Sequence, residues 1–551
     1  MSRLTRIAVA SLAALAALPA QAQETEAEAR CTAAMDLAVE GVRLTEASYS
    51  PAGDDSPADH CILRGVMAER TGADGQPYAL RFELRLPDDW SGRFLHQFNG
   101  GADGEVVPAL GGGAGIGDVP ALGRGFAVVS SDAGHDGAAR PDRGLAGGTA
   151  FGHDFEARRM YGYGAVETLQ PAAMALTEAY YGEAPHHVYG YGRSNGGRHG
   201  LVQAERMPGA FDGILAGFPG FNLPRTGLQS ALDIQLFLSL GGTLADAFSR
   251  EDLTVVAQSV LDACDALDGL EDGVVNAMME CQQEFDPQVM VCTDGQNSDC
   301  LSAEQVDVLV ARHAGPVSAG GEPLYNSWYW DPGIASGNWR FWNLESPIPP
   351  WDHNPLIATM AAGATAQIFS TPPVEVGGSP QELLDFMAGF DIEAGSQAIF
   401  ARTGDFPESA MSLIAVPNVD DPTLEAFEAE EGRLIIFHGA ADPVFSVKDT
   451  IDYVERVQAN NPEADDFLRL YLVPGMPHGP GGNSASQFDL LDALVAWVED
   501  GEAPGTVEAA FPEGDAESAA NAGHTRPLCV YPQVAQYAGD NPAVAASFDC
   551  R

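Results

Sequence analysis

Gly190-Tyr191-Gly192-Arg193-Ser194-Asn195-Gly196-Gly197 decides how this 551-residue chain is read. The stretch holds G-x-S-x-G. An apolar strand-like run, His187 to Tyr191, precedes it, and a helix-like run from Asn195 to about Met207 follows. In that context the serine sits on a strained strand-to-helix turn that projects its hydroxyl from a sheet. The flanking glycines remove Cβ atoms that would strike the neighbouring strand and helix. The competing reading is a glycine-rich anion-binding turn at a helix N-terminus; the strand–turn–helix order favours Ser194 as a nucleophile.

Outward from this point the chain alternates between strand and helix patterns. Tyr78 to Leu84 alternates with period two, Arg93 to Phe98 runs into a glycine turn, and Gly125 to Ser130 is continuously apolar, as in a strand buried on both faces. Ala165 to Tyr181 reads as a helix and Phe211 to Phe218 as a strand. The rhythm stops near Asn222 and resumes near Arg433, with strands at Leu434–Phe437 and Leu468–Val473 and a closing helix over Phe488–Val498. This predicts an α/β fold, a parallel sheet flanked by helices, with a large insertion. The expected division is a sheet domain of residues 23–221 and 433–551 and an inserted lid of residues 222–432. There is no internal repeat.

A serine hydroxyl needs a base oriented by an acid, and in such folds the chain order is Ser, Asp or Glu, His. His438-Gly439-Ala440-Ala441-Asp442-Pro443 and Pro474-Gly475-Met476-Pro477-His478-Gly479 both follow strand ends, where α/β sheets gather their sites. Asp442 is the expected acid and His478 the expected base. His438 competes for the base role but precedes the acid. For an oxyanion hole the expected amides are those of Asn195 and, from Asn99-Gly100-Gly101-Ala102-Asp103-Gly104, of Gly101 or a residue beside it.

With 28 Lys+Arg against 78 Asp+Glu, the formal charge is −50, and such a surface repels phosphate backbones. A nucleic-acid partner is not expected. Arg3 and Arg6 precede the apolar run Ile7–Leu18, and Ala20-Gln21-Ala22 fits a cleavage site, so residues 1–22 read as an export signal. No later stretch is long and apolar enough to predict a membrane span. A secreted or periplasmic location follows. There the eight cysteines favour disulfides over a zinc site, though spacing alone leaves 105 pairings open.

These residues, in this order, resemble the tannase/feruloyl esterase family, which includes the mono(2-hydroxyethyl) terephthalate hydrolases. Further likeness lies in Trp90-Ser91-Gly92-Arg93-Phe94, Ser131-Asp132-Ala133-Gly134-His135, Phe211 to Gly217 and Arg526-Pro527-Leu528-Cys529-Val530-Tyr531-Pro532. The resemblance implies an α/β-hydrolase domain with a lid, acting on esters of aromatic acids. It also implies the pairs Cys31–Cys61, Cys264–Cys281, Cys292–Cys300 and Cys529–Cys550. One departure stands out. The family usually has cysteines immediately before the serine and after the histidine, joined in a disulfide; here those positions are Arg193 and Gly479.

Cys264 to Val274 crowds acids and glycines into a short run that can supply several oxygens to a hard cation, although in so acidic a chain it could equally be solvated surface. The resemblance implies a structural Ca²⁺ held by side chains of Asp265, Asp268 and Asp272 and by the carbonyls of Leu270 and Val274. Trp328, Trp330, Trp339, Trp342 and Trp351 are expected to build the lid core, or one or two of them to wall an aromatic pocket. Arg340 among them reads as a surface arginine, with pairing to a substrate carboxylate as the alternative. The expectation is thus a secreted serine esterase for a small aromatic ester of feruloyl, galloyl or terephthaloyl type. The alternatives are an esterase for hydroxyalkanoate oligomers or short-chain acyl esters, and a non-catalytic calcium-binding homologue.

Overall fold

The computed structural model describes residues 25–53, 56–293 and 299–551. The export-signal expectation for residues 1–22 lies outside the described residues. Nine strands form the main sheet: β1 (Arg43–Ser50), β2 (His60–Thr71), β3 (Pro77–Pro87), β4 (Arg93–Phe98), β5 (Ala127–Ser131), β6 (His187–Arg193), β7 (Gly213–Gly217), β8 (Arg433–Gly439) and β9 (Leu468–Val473). Their order is β1-β2-β3-β5-β4-β6-β7-β8-β9.

The six strands from β5 to β9 pair in parallel, whereas β1 to β3 and the β3–β5 pair are antiparallel. The sheet is therefore mixed, which corrects the expectation of a parallel one. The antiparallel flank was hidden because β1 is a half-exposed edge strand, Leu44-Thr45-Glu46-Ala47-Ser48, without an apolar run to announce it.

Alternation along the central strands builds two cores. Ile214, Ala216, Leu434 and Ile436 pack on one face, while Leu215, Ile435 and Phe437 pack on the other. Successive strand side chains point to opposite faces, so an unbroken apolar run marks a strand covered on both. The chain leaves β4 toward β5 on one side and continues through β6 on the other. The loops after β4 and β6 therefore diverge at a switch point, the place where open α/β sheets bind ligands.

Among the described residues, those between β7 and β8 add no strand to this sheet. Their helices bury a core that includes Ile234, Phe237, Val256, Leu309, Trp339 and Leu383. The four disulfides pair as the resemblance implies. The closing helix spans Leu491–Asp500. It starts later than the pattern predicts because the Asp489 carboxylate accepts from the amides of Leu491 and Asp492 and ends the preceding segment there.

Candidate active site

Ser194 stands between β6 and the helix Asn195–Arg206 with φ 60° and ψ −126°, a conformation that few side-chain-bearing residues adopt. The glycines around it make this turn possible. A Cβ on Gly192 would press into the main chain of Gly196, and one on Gly196 into the carbonyl of Phe98. A Cβ on Gly197 would lie 2.7 Å from the Gly217 carbonyl oxygen. The elbow is thus wedged against β4 and β7.

The loops after β8 and β9 bring the other two predicted residues to it. His478 Nε2 lies 2.9 Å from Ser194 Oγ, and His478 Nδ1 lies 2.7 Å from Asp442 Oδ2. Asp442 is buried, and its other oxygen accepts from the amides of Val444 and Phe445 at 2.7 and 3.0 Å. Burial works against its ionisation, but His478 and His438 overcome this and hold its carboxyl well below the usual carboxylate range. His438 is fully buried, 3.3 Å from the same Asp442 oxygen and 2.8 Å from Thr450 Oγ1. It faces the acid, and no hydrogen bond joins it to Ser194.

With Arg193 and Gly479 in place of a disulfide, aromatic rings enclose the histidine. Phe218, Trp342 and Phe445 set their edges against the His478 ring at centroid distances of 4.9, 5.1 and 5.2 Å. Asn338 Nδ2 also donates to the His478 carbonyl at 3.4 Å.

Gly101 and Asn195 border one pocket together with Ser194. Asn195 is the first residue of its helix, so its amide has no intrahelical acceptor. The glycine loop is tied down from behind by residues the sequence did not mark. Asp103 Oδ2 accepts from Asn195 Nδ2 at 2.9 Å and lies 3.0 Å from His199 Nε2. Arg198, wholly buried, donates to Asn195 Oδ1 and to the carbonyls of Tyr161, Gly162 and Ile414. Burial pushes Asp103 up to about 7 and His199 well below its ordinary value. His199 is accordingly neutral, and its contact with Asp103 is a hydrogen bond and not an ion pair, despite the distance. The only sequence signal was position: Asp103 lies two residues past Gly101, and His199 one turn past Asn195.

The same pocket is walled by Tyr161, Trp342, Met360 and Phe369. Its polar end is formed by Gln229 and Asp233, which are 2.6 Å apart, and Gln229 Oε1 has no hydrogen-bond partner although it is buried. Only Trp342 of the five tryptophans lines this pocket. Trp328 lies under the Arg312 guanidinium, Trp330 stacks on His313, Trp339 is in the inserted core, and Trp351 stacks on Phe341. Arg340 is neither a surface group nor near the pocket. It is buried, paired with Glu345 at 2.5 Å, and donates to the carbonyls of Phe248 and Ala245.

The loop Asp265–Val274 offers carboxylate and carbonyl oxygens, the donor chemistry a hard cation takes. Asp268 is 1% exposed, and no cationic side chain pairs with it among the described residues, so a divalent ion would offset a buried charge there. In this structure the oxygens are engaged within the protein. Asp265 accepts from the amides of Asp272 and Gly273, Asp268 from the Leu270 and Asn276 amides and Asn276 Nδ2, and Asp272 pairs with Arg526. Among the described residues no three His, Cys, Asp or Glu side chains gather as a metal-holding group. The residues fit calcium in donor type, and the carbonyls of Leu270 and Val274 belong to the same turn.

Comparison with known proteins agrees with this architecture. Residues 65–551 match the family described as tannase and feruloyl esterase. The chain is 37% identical over 537 residues to the mono(2-hydroxyethyl) terephthalate hydrolase of Piscinibacter sakaiensis, covering 93% of this chain and 88% of that protein. It is 30% identical over 519 residues to a probable feruloyl esterase of Arthroderma benhamiae, covering 91% and 87%. The crystal structure of feruloyl esterase B from Aspergillus oryzae superposes with a TM-score of 0.75 at 23% identity, over 95% of this chain and 100% of that one. The tannin acyl hydrolase from Aspergillus niger does so with 0.66 at 21%, over 95% and 94%. The sheet, the elbow and these relatives together define an α/β-hydrolase of the carboxylic ester hydrolase class. Within that class, the chain belongs to the tannase and feruloyl esterase family.

Proposed function

We propose that Ser194, His478 and Asp442 act as a catalytic triad on esters of aromatic acids. The observation that carries this reading is the unbroken relay of short contacts, 2.9 Å from Ser194 Oγ to His478 Nε2 and 2.7 Å from His478 Nδ1 to Asp442. His478 Nε2 takes the Ser194 proton as Oγ attacks the ester carbonyl, and Asp442 stabilises the resulting imidazolium. The amides of Asn195 and Gly101 donate to the oxyanion. Collapse expels the alcohol, which takes the proton from His478, and leaves an acyl-serine. Water, deprotonated by the same nitrogen, then releases the acid.

The pocket chemistry favours a phenolic acyl group over a terephthaloyl one. No lysine or arginine lines the pocket to pair with a second carboxylate, and its one acid, Asp233, already has the buried Arg312 guanidinium 3.7 Å away. A ring hydroxyl would instead satisfy the unpaired Gln229 Oε1. Residues 222–432 serve as a lid over this pocket, and Asp265, Asp268 and Asp272 would hold a structural Ca²⁺ that ties the lid down. A secreted or periplasmic location is supported by four disulfides, which persist in oxidising compartments. No helix among the described residues is long and apolar enough to cross a membrane.

A fluorophosphonate should label Ser194 stoichiometrically, and ferulate or gallate esters should outpace mono(2-hydroxyethyl) terephthalate and hydroxybutyrate dimers in kcat/KM. Labelling that persists in Ser194→Ala would refute the nucleophile assignment, and faster turnover of hydroxybutyrate dimers would refute the substrate class.

A further inference from the structure

Ser194 is approached from two sides. One is the pocket already described. The other is an open groove of about 690 Å³ whose walls include Gln97, Asn99, Arg193 and Gly479. His478 borders the groove and not the pocket. If Ser194 and His478 act as proposed above, His478 must hand its proton to the leaving alcohol, so the alcohol lies in the groove and the acyl group in the pocket.

Arg193 is the one cation on the groove wall. Its guanidinium lies over Gly113, where a Cβ would sit 2.7 Å from its Cζ and 2.9 Å from the Tyr191 hydroxyl. The Tyr191 hydroxyl itself donates to the Ala114 carbonyl at 2.8 Å. Among the described residues no carboxylate comes within ion-pair distance of Arg193. In a chain with 78 acids and 28 Lys+Arg, an arginine left without an acid beside the serine is a site short of an anion. Asp118, the groove's only acid, is exposed and beyond ion-pair reach of Arg193, and it disfavours a second negative charge there. Gly479, with φ 107° and no atom within 4 Å of its Cβ position, puts no side chain in the way.

We propose that Arg193 forms an alcohol-side subsite for a single carboxylate, so that the enzyme prefers aromatic esters of hydroxycarboxylic acids to those of neutral alcohols. A guanidinium presents a planar fork that matches a carboxylate, and such a charge-assisted contact corresponds to about tenfold to hundredfold in binding. The assignment rests on the triad reading, and the test keeps the two apart.

The test compares carboxymethyl and carbamoylmethyl ferulate, which share a shape and differ in charge. The parent enzyme should show at least about tenfold higher kcat/KM for the carboxylate. Arg193→Gln should abolish that preference, and Arg193→Lys should keep part of it. Calorimetric binding of both esters to Ser194→Ala protein should give the same order of affinities without turnover. A parent that favours the neutral amide, or an Arg193→Gln enzyme with an unchanged ratio, overturns the subsite. Hydrolysis surviving in Ser194→Ala would overturn the triad reading instead, while the calorimetric ratio would still decide the subsite.

Discussion

Asp442 is the residue on which the proposed chemistry balances, because two histidines share one of its oxygens and two amides hold the other. An asparagine there keeps the shape but offers His478 Nδ1 either a donor or a weaker acceptor, so the imidazole adopts the wrong tautomer for Ser194. Asp442→Asn should lower kcat by about 10,000-fold while KM stays nearly constant; steady-state kinetics with circular dichroism as a fold control checks this. Asp103 presents the opposite case. Since burial pushes it up to about 7, its protonated, uncharged form is well populated at neutral pH and serves as a hydrogen-bonding group. Asp103→Asn should retain most of kcat, whereas Asp103→Ala should lose about tenfold or more as the glycine loop slackens. Equal losses in the two variants would count against this. The meeting of Ser194, Asp442 and His478 could be read from the sequence because each sits in a loop just past an apolar strand, in a fixed order. Asp103, His199 and Gln229 could not, because nothing in a sequence distinguishes a buried polar residue from an exposed one until the fold pairs it. Arg340 was misread for the same reason: an arginine beside tryptophans looks like surface, yet here carbonyls and Glu345 surround it.

At the scale of elements, the acid-rich loop Asp265–Val274 is roped to the segment that carries His478, through Asn483, and to the C-terminal part of the chain, through Asn521 and Arg526. Asn483 Nδ2 donates to the Gly273 carbonyl at 2.9 Å, Asn521 Nδ2 to the Asp272 carbonyl at 3.0 Å, and Arg526 pairs with Asp272. The Cys264–Cys281 disulfide closes the stretch that contains the loop. A cation bound there would stabilise the folded form by mass action. Exhaustive chelation should therefore lower the melting temperature by several degrees, and added Ca²⁺, but not Mg²⁺, should restore it, because the smaller ion demands stricter octahedral geometry. Differential scanning fluorimetry reads the shift, and elemental analysis should find about one calcium per chain. A chelated protein with an unchanged melting curve and no calcium would leave the loop as a hydrogen-bonded turn. The parallel strands were legible as elements because continuous apolar runs such as Leu434-Ile435-Ile436-Phe437 allow little else. The Leu491 helix start and the edge strand β1 were not, since one depends on a single capping carboxylate and the other on pairing with β2.

For the whole molecule, the balance of buried acids and buried histidines sets how stability responds to pH. Burial, offset only in part by hydrogen bonds and nearby cations, pushes Asp103, Glu205 and Asp449 up to about 7, and Asp132, Asp233 and Asp331 up to about 6. Between the ordinary carboxyl value and these raised ones, the folded chain keeps protons that the unfolded chain has released. Taken alone, these acids make stability fall as pH rises from about 4 to about 7 and level off above that. Asp442, Asp154 and Glu83 act in the opposite sense. They are buried, yet their histidine, arginine and amide partners hold them low, and their contribution is lost as pH drops below the ordinary carboxyl range. The net charge of −50 adds to the first trend, since each proton taken up relieves repulsion within the compact state. Buried histidines oppose this trend. Burial pushes His96 and His135 down to about 4, His313 down to about 3 and His199 well below its ordinary value. Stability is therefore lost as pH falls below about 6.5, where the unfolded chain takes up protons that the folded chain refuses. The two sets nearly cancel between about pH 5 and 6.5, so the melting temperature should be nearly level there, decline slightly toward pH 7 and be flat from there to pH 9. Glu205 provides the control. It stands outside the proposed site, one of its oxygens is buried without a hydrogen-bond partner, and desolvation alone raises it. Glu205→Gln should raise the melting temperature at pH 8 and leave it nearly unchanged at pH 5, flattening the profile. A Glu205→Gln profile parallel to that of the parent would show that burial does not raise Glu205 as described.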